Sequence, residues 1–213
     1  MLWRNTLLLS SAIALALGCS TGYLFSSRFC KITIINRTQK QLALNQALRK
    51  LLCEHTFWIR NYLHAAFFNS PDQQAIETRL EKNQEDLVTL LAAYYGSVAQ
   101  SKLSMYLKEN IILITRAVAL AKNNKPLTEI NNQWRKNAEH IATYIAGLNP
   151  SWSSSFIKTK LTDQFLLIMQ EIEAMQGNNW KKALEIFDKN LDYTLQFADE
   201  LDKGILEQFP NKF

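Results

Sequence analysis

One eight-residue phrase occurs three times in this chain of 213 residues. Leu52-Cys53-Glu54-His55-Thr56-Phe57-Trp58-Ile59 returns as Leu107-Lys108-Glu109-Asn110-Ile111-Ile112-Leu113-Ile114, and again as Leu161-Thr162-Asp163-Gln164-Phe165-Leu166-Leu167-Ile168. The shared form is Leu, any residue, an acid, then His/Asn/Gln, two further residues, a large apolar residue and Ile. A second phrase is interleaved with it: Lys82-Asn83-Gln84-Glu85-Asp86-Leu87, Lys136-Asn137-Ala138-Glu139-His140-Ile141 and Lys189-Asn190-Leu191-Asp192-Tyr193-Thr194. Self-similarity at a period of about 54 residues marks a repeated supersecondary unit that buries its apolar face only by stacking on its neighbours. Apolar residues recur at helical rather than alternating spacing, and glycine (6) and proline (4) are scarce, so the unit reads as a helical hairpin. The expected fold is all-α: an up-and-down six-helix bundle built from three helical-hairpin repeats, behind an N-terminal transmembrane or signal helix.

Punctuation supports six helices from about Gln41 onward. Breakers stand at Asn69-Ser70-Pro71-Asp72, Tyr95-Gly96-Ser97, Asn123-Asn124-Lys125-Pro126, Asn149-Pro150-Ser151 and Gln176-Gly177-Asn178-Asn179. Asn, Ser and Asp suit N-caps, and Pro suits a first turn. Short connections between long helices make sequential neighbours antiparallel. The domain division that follows is 1–40 for the N-terminal segment with its basic flank and 41–213 for the bundle.

Charge is also divided unevenly along the chain. Residues 1–50 hold seven basic side chains and no Asp or Glu, which leaves 17 basic and 19 acidic side chains for the rest. A nucleic-acid binder places its positive charge on the folded domain. Here the charge flanks an apolar segment, so the expected contact is with lipid headgroups and not with nucleic acid. Thr6 to Phe25 is 20 residues without a charge, long enough to cross a hydrocarbon core of ~30 Å as a helix. The leading reading is an uncleaved single-pass anchor in a bacterial membrane, with the bundle on the extracytoplasmic side. Arg4, the apolar centre and the small residues Ala16 and Gly18 also fit a cleaved signal. Ala16-Leu17-Gly18-Cys19 resembles a degenerate lipobox, which would make Cys19 a lipidation site. With Cys30 and Cys53, the three cysteines form no Cys-x-x-Cys spacing, so neither a structural zinc site nor a disulfide framework is expected.

The polar members of the two phrases, His55, Asn83, Asn110, Asn137, Gln164 and Asn190, are separated by 28, 27, 27, 27 and 26 residues. Each falls on the apolar stripe of its helix, the i, i+3, i+4, i+7 face that turns inward. Near-equal intervals in an up-down bundle put all six in one layer at mid-height, about 17 Å from either end. A buried amide left unbonded costs ~1–3 kcal/mol, and a domain's stability is ~5–15 kcal/mol. The six must therefore bond one another, water or a ligand. The preceding residues alternate, acid at Glu54, Glu109 and Asp163, and Lys at Lys82, Lys136 and Lys189, which predicts ion pairs across neighbouring helices at the rim.

The simplest role for this layer is to fix helix register. The sharper one is a ligand site formed by Glu54, His55, Asn83, Asn110, Asn137, Gln164 and Asn190. No metal or other cofactor is expected: the Glu-x-x-His pairs of di-iron bundles, His-Glu-x-x-His and haem-attachment motifs are all absent. His55, Asp86 and His140, joined by Glu54, are the residues a mixed N/O site would use. A Cys53–His55 dyad is excluded because residues two apart on a helix diverge. His64, half a turn from His55, reads as surface.

Cys-Glu-His-x-x-Trp-x-Arg at Cys53–Arg60, Lys-Asn-x-x-Asp at Lys82–Asp86, Tyr94-Tyr95-Gly96, Asn149-Pro150-Ser151-Trp152 and Gln208-Phe209-Pro210 together resemble a family of small all-helical bacterial proteins. The resemblance covers roughly residues 45–213. That family has no established activity, substrate or cofactor, so it implies a helical fold and a bacterial source. Some of its members carry an acid where His140 stands, so the resemblance favours Glu54, His55 and Asn137 as site residues. The functional expectation is a membrane-tethered, non-catalytic helical module that binds an unidentified protein or small molecule. The alternative is an enzyme or metal-binding bundle using the mid-bundle layer around Glu54 and His55.

Overall fold

The computed structural model describes residues 37–213. Residues 6–25, Cys19 and Cys30 lie outside that range. The described chain is all-helical: α1 (Gln39–Phe68), α2 (Gln73–Lys122), α3 (Thr128–Leu148), α4 (Ser154–Gln176) and α5 (Trp180–Gln208), then a short 3-10 turn at Pro210–Lys212. No described helix is both long and apolar enough to cross a membrane. Neighbours in sequence pack on one another, and α5 returns to pack on α1, so the helices form a closed ring.

Helix α1 starts before the expected boundary at Gln41. Thr38 Oγ1 accepts from Gln41 N–H at 3.2 Å, and Gln41 Oε1 accepts from Thr38 N–H at 3.0 Å, a reciprocal cap that satisfies two otherwise orphaned donors. Arg37, just outside the helix, forms an ion pair with the fully buried Asp202 of α5. Ser153 caps α4 through Phe156 N–H at 3.1 Å, and Asn179 caps α5 through Lys182 N–H at 3.1 Å.

Four of the five breakers separate helices. The fifth bends one: Gly96 lies inside α2 with φ 81° and ψ 176°. That region is open essentially to glycine alone, so the chain turns there while helical bonding resumes on both sides.

Three of the other four turns share a feature. Asn69, Asn124 and Asn178 all adopt the left-handed conformation, with φ of 52°, 51° and 54°. Each sits beside a backbone bond spanning five residues: Ser70 N–H to Ala65 O at 2.8 Å, Lys125 N–H to Leu120 O at 2.9 Å, and Asn179 N–H to Ala174 O at 2.8 Å. This is the Schellman arrangement, in which an Asn or Gly with positive φ lets the chain satisfy the last helical carbonyls.

The core consists of two apolar clusters. One holds Ile59, Leu80, Ile111, Trp134, Phe165 and Ala183. The other holds Leu52, Leu87, Leu103, Ile141, Ile157 and Phe197. Along α1 the chain passes from the second cluster to the first. It passes back before Gly96, returns after it, and reverses again in α3, α4 and α5.

Candidate functional site

Between the clusters lies a polar layer. Leu52 and Ile59 bracket His55 and Thr56 on α1, and Leu80 and Leu87 bracket Asn83 and Gln84 on α2. Asn110, Asn137, Gln164 and Asn190 occupy the corresponding places on the later segments. Asn83, Asn110, Asn137 and Asn190 are buried, while His55 and Gln164 are half-buried at the edge. The centre of the α1 stripe is Leu48, Leu52, Thr56, Ile59 and Leu63. Thr56, one residue and about 100° on from His55, therefore takes the interior place expected for His55.

Among the described residues, the side chains of His55, Asn83, Gln84, Asn137 and Gln164 are bonded within the protein, while those of Asn110 and Asn190 form no hydrogen bond. His55 Nδ1 lies 3.1 Å from Asn83 Oδ1, and Asn83 Nδ2 donates to Leu51 O at 3.0 Å. Asn137 Nδ2 donates to Tyr106 O at 3.3 Å and also to Glu109. Gln164 Nε2 donates to Thr194 Oγ1 at 3.1 Å, and that hydroxyl is 2.9 Å from Thr56 Oγ1. Gln84 Nε2 donates to Leu107 O at 2.9 Å. Burial lowers the His55 pKa to about 4 against the opposing effect of its hydrogen bond to Asn83, so the imidazole is neutral at pH 7 and Nδ1–H donates to the amide oxygen. Three buried oxygens of the layer, Gln84 Oε1, Asn137 Oδ1 and Asn190 Oδ1, have no donor among the described residues.

The rim does not follow the predicted acid–lysine pairing. Glu54 pairs with Arg79 at 3.2 Å and with Lys50 at 3.8 Å, and the Arg79 guanidinium also lies over Trp58. Asp163 accepts from Tyr193 Oη at 3.0 Å. Lys82 stays on its own helix, 2.9 Å from Asp86 and 3.6 Å from Glu85. A lysine next to acids three and four residues on is already matched along its helix, which leaves the acids of the preceding segment to longer or better-placed donors.

The proposed metal residues do not converge. Asp86 is held by Lys82, His140 is exposed against Tyr106, and His55 faces Asn83. Among the described residues no three His, Cys, Asp or Glu side chains are grouped as a metal site would require. Cys53 is a free, half-buried thiol whose pKa burial raises.

Sequence reasoning passed over Thr56, Gln84 and Thr194, which complete the layer, and two buried acids outside it. Glu171 is 1% exposed and paired with Arg60, whose guanidinium lies 4.8 Å from the Phe187 ring centre. Burial pushes its pKa up to about 7 in spite of Arg60. Asp202 is fully buried; burial likewise raises its pKa against Arg37 and Asn45, and Asn45 Nδ2 donates to it at 3.2 Å. Both acids were detectable by their neighbours: Ile168, Ile172 and Met175 flank Glu171 at helical spacing, and Ala198, Leu201 and Ile205 flank Asp202.

A second polar and aromatic region lies where α1, the second half of α2, and α4 end. His64 is half-buried there and not free surface: its ring centre is 5.6 Å from that of Phe68 and 6.1 Å from that of Trp180. Phe68 and Trp180 are 5.6 Å apart and exposed. They border an open groove of about 380 Å³ that is also lined by Lys122, Asn124, Met175 and Asn178. Comparison with protein-family models, with curated proteins and with solved structures returns no match.

Proposed function

We propose that this chain is a membrane-tethered, non-catalytic binding module of the bacterial envelope, held by residues 6–25 and built as six helices in three hairpins. The hairpin reading takes Gly96 as the junction between two members of the bundle. Three Schellman turns at intervals of 55 and 54 residues support it. So do two equivalent layer bonds: Asn83 reaches the carbonyl four residues before His55, and Asn137 the one four residues before Asn110.

The observation that carries the binding role is a contrast in availability. Five of the layer's side chains, His55, Asn83, Gln84, Asn137 and Gln164, are bonded within the protein, whereas the Phe68 and Trp180 rings are exposed beside the groove at the turns. Ligand sites combine such apolar walls with a few fixed polar groups. An enzyme or metal protein built on Glu54 and His55 would need those side chains to meet, but Glu54 turns to Arg79 and His55 to Asn83.

Fractionation of cells producing the full chain tests the tether. The protein should stay with carbonate-washed membranes, and deletion of residues 6–25 should release a helical, soluble protein. Release of the intact chain would overturn the tether. A stoichiometric transition metal in untagged full-length protein would overturn the metal-free binding role.

A further inference from the structure

The three turns at the open end differ in one respect that identifies a ligand. Lys122 Nζ donates to Ala66 O and, at 2.7 Å, to Asn69 Oδ1. Gln176 Nε2 donates to Ala121 O at 2.9 Å and to Asn124 Oδ1 at 2.7 Å. Lys122 and Gln176 are 54 residues apart, and their acceptor pairs are 55 apart. In both turns a side-chain nitrogen from the next hairpin closes a seat made of one helix-end carbonyl and one left-handed Asn.

The third seat consists of Met175 O and Asn178 Oδ1. The residue that would close it, 54 before Lys122, is Phe68. A phenyl ring has no hydrogen to donate, and among the described residues no side chain donates to this pair. Met175 O accepts from the N–H groups of Gly177 and, at 3.0 Å, Asn178, as Ala121 O accepts from those of Asn123 and, at 3.0 Å, Asn124, so the third seat differs from the second only in its missing side-chain donor. Phe68 lies against Trp180, and the groove of about 380 Å³ opens beside Phe68, Met175, Asn178 and Trp180.

Electrostatics selects the kind of nitrogen. The partial negative charge of a helix C-terminus favours a cation. Lys122 supplies one to the end of α1, and α2 carries Lys122 in its own last turn. The last turn of α4 has no basic residue and contains Glu173. Aromatic faces attract ammonium groups as well. We propose that this groove binds a primary ammonium group, with its nitrogen donating to Met175 O and Asn178 Oδ1 and its aliphatic stem lying on Phe68 and Trp180. The site rests on the three-hairpin reading and is independent of the membrane tether.

Full-length protein in detergent is titrated with n-butylamine, with tetramethylammonium, and with a terminally blocked Gly-Lys-Gly peptide, while the Trp180 indole N–H is followed by NMR. Saturable shifts with butylamine or the peptide are expected; tighter binding of the peptide would identify a partner's lysine as the source, and equal binding a free amine. Tetramethylammonium, which has no N–H, should bind at least about tenfold more weakly. Equal binding of it, or no shift with either amine, overturns the site. Phe68→Lys should fill the seat from within, abolish the shifts and raise the melting temperature. A higher melting temperature without amine binding to the parent protein would leave three hairpins and remove the ligand site. No rise in melting temperature and undiminished amine binding in the variant would remove the hairpin equivalence itself.

Discussion

The two ends of the bundle are built differently. At one end, three turns repeat the same backbone bond and the same left-handed Asn, and a groove stands open. At the other, nothing repeats. Tyr95 Oη accepts from Asn149 Nδ2 at 2.9 Å and donates to Gln208 Oε1 at 3.1 Å, while Gln208 Nε2 donates to Leu148 O at 2.9 Å. The C-terminal Phe209 and Phe213 pack on Tyr94 at 5.7 and 5.9 Å, and Lys212 Nζ donates to Ala93 O at 2.9 Å. The first end contains the turns that follow α1, α2 and α4. The second contains the Gly96 bend, the α3–α4 turn and residues 208–213, each closed by different side chains. Open surface is left where the three turns resemble one another, and the bend and turn at the other end are tied together by side chains.

The largest expected difference concerns the buried acids. Glu171, toward the turns, has one charged partner, whereas Asp202, at the sealed end, has Arg37 and Asn45. Arg60→Met should cost ~3–5 kcal/mol at pH 8, because it strands a buried carboxylate. Arg37→Met should cost clearly less, since the Asn45 donor remains. Glu171 has a folded pKa raised to about 7 from 4.5. Its linkage therefore favours folding most at low pH and is lost as pH rises through 7. Arg60→Met should accordingly be milder at pH 5 than at pH 8. Equal costs for the two arginine variants in urea melts would erase the distinction between the ends.

His55, between the ends, has the opposite slope. Its folded pKa of about 4 lies below the ordinary 6.5, so the unfolded chain takes up the proton first. Stability should be full above pH 6.5 and fall by at most about 3 kcal/mol down to pH 4. The partial exposure of His55 makes that an upper bound. His55→Gln should flatten this part of the pH profile, and an unchanged acid slope would show that the imidazole is not held neutral.

The sealed end can be probed through its glycines. A Cβ on Gly204 would lie 2.0 Å from Trp152 Nε1, whereas one on Gly147 meets nothing within 4 Å. Gly204→Ala should cost ~1–3 kcal/mol through overpacking. Gly147→Ala, in a helix, should stabilise by ~0.5–1 kcal/mol. Melts that reverse that order would place Trp152 elsewhere.

The heights of the six polar residues were legible because spacing along a helix converts directly into rise. Rotation was less legible: a shift of one residue moves a side chain by about 100°, so Thr56 rather than His55 faces inward on α1. Gly96 was read correctly as a breaker, but spacing does not distinguish a loop from a bend that keeps helical bonding on both sides. The rim pairs failed for a different reason. Lys82 finds acids on its own helix, and Glu54 is met by Arg79, three residues from the expected lysine. Phe68 carried a signal that went unread: it stands in the register of Lys122 and Gln176 without their nitrogen.

The central claim is that the mid-bundle layer is a bonded partition whose strength follows its hydrogen bonds rather than its burial. Asn83 and Asn110 are both buried, at 0% and 7% exposure. Asn83 bonds both His55 and Leu51 O, while the Asn110 side chain forms no hydrogen bond among the described residues. Thermal melts of Asn83→Leu and Asn110→Leu in full-length protein compare them directly. Asn83→Leu should cost ~1–3 kcal/mol by leaving two groups without partners, lowering the melting temperature by about 2–12 °C, and Asn110→Leu should melt near or above the parent. Equal losses, or the greater loss for Asn110→Leu, would contradict the account.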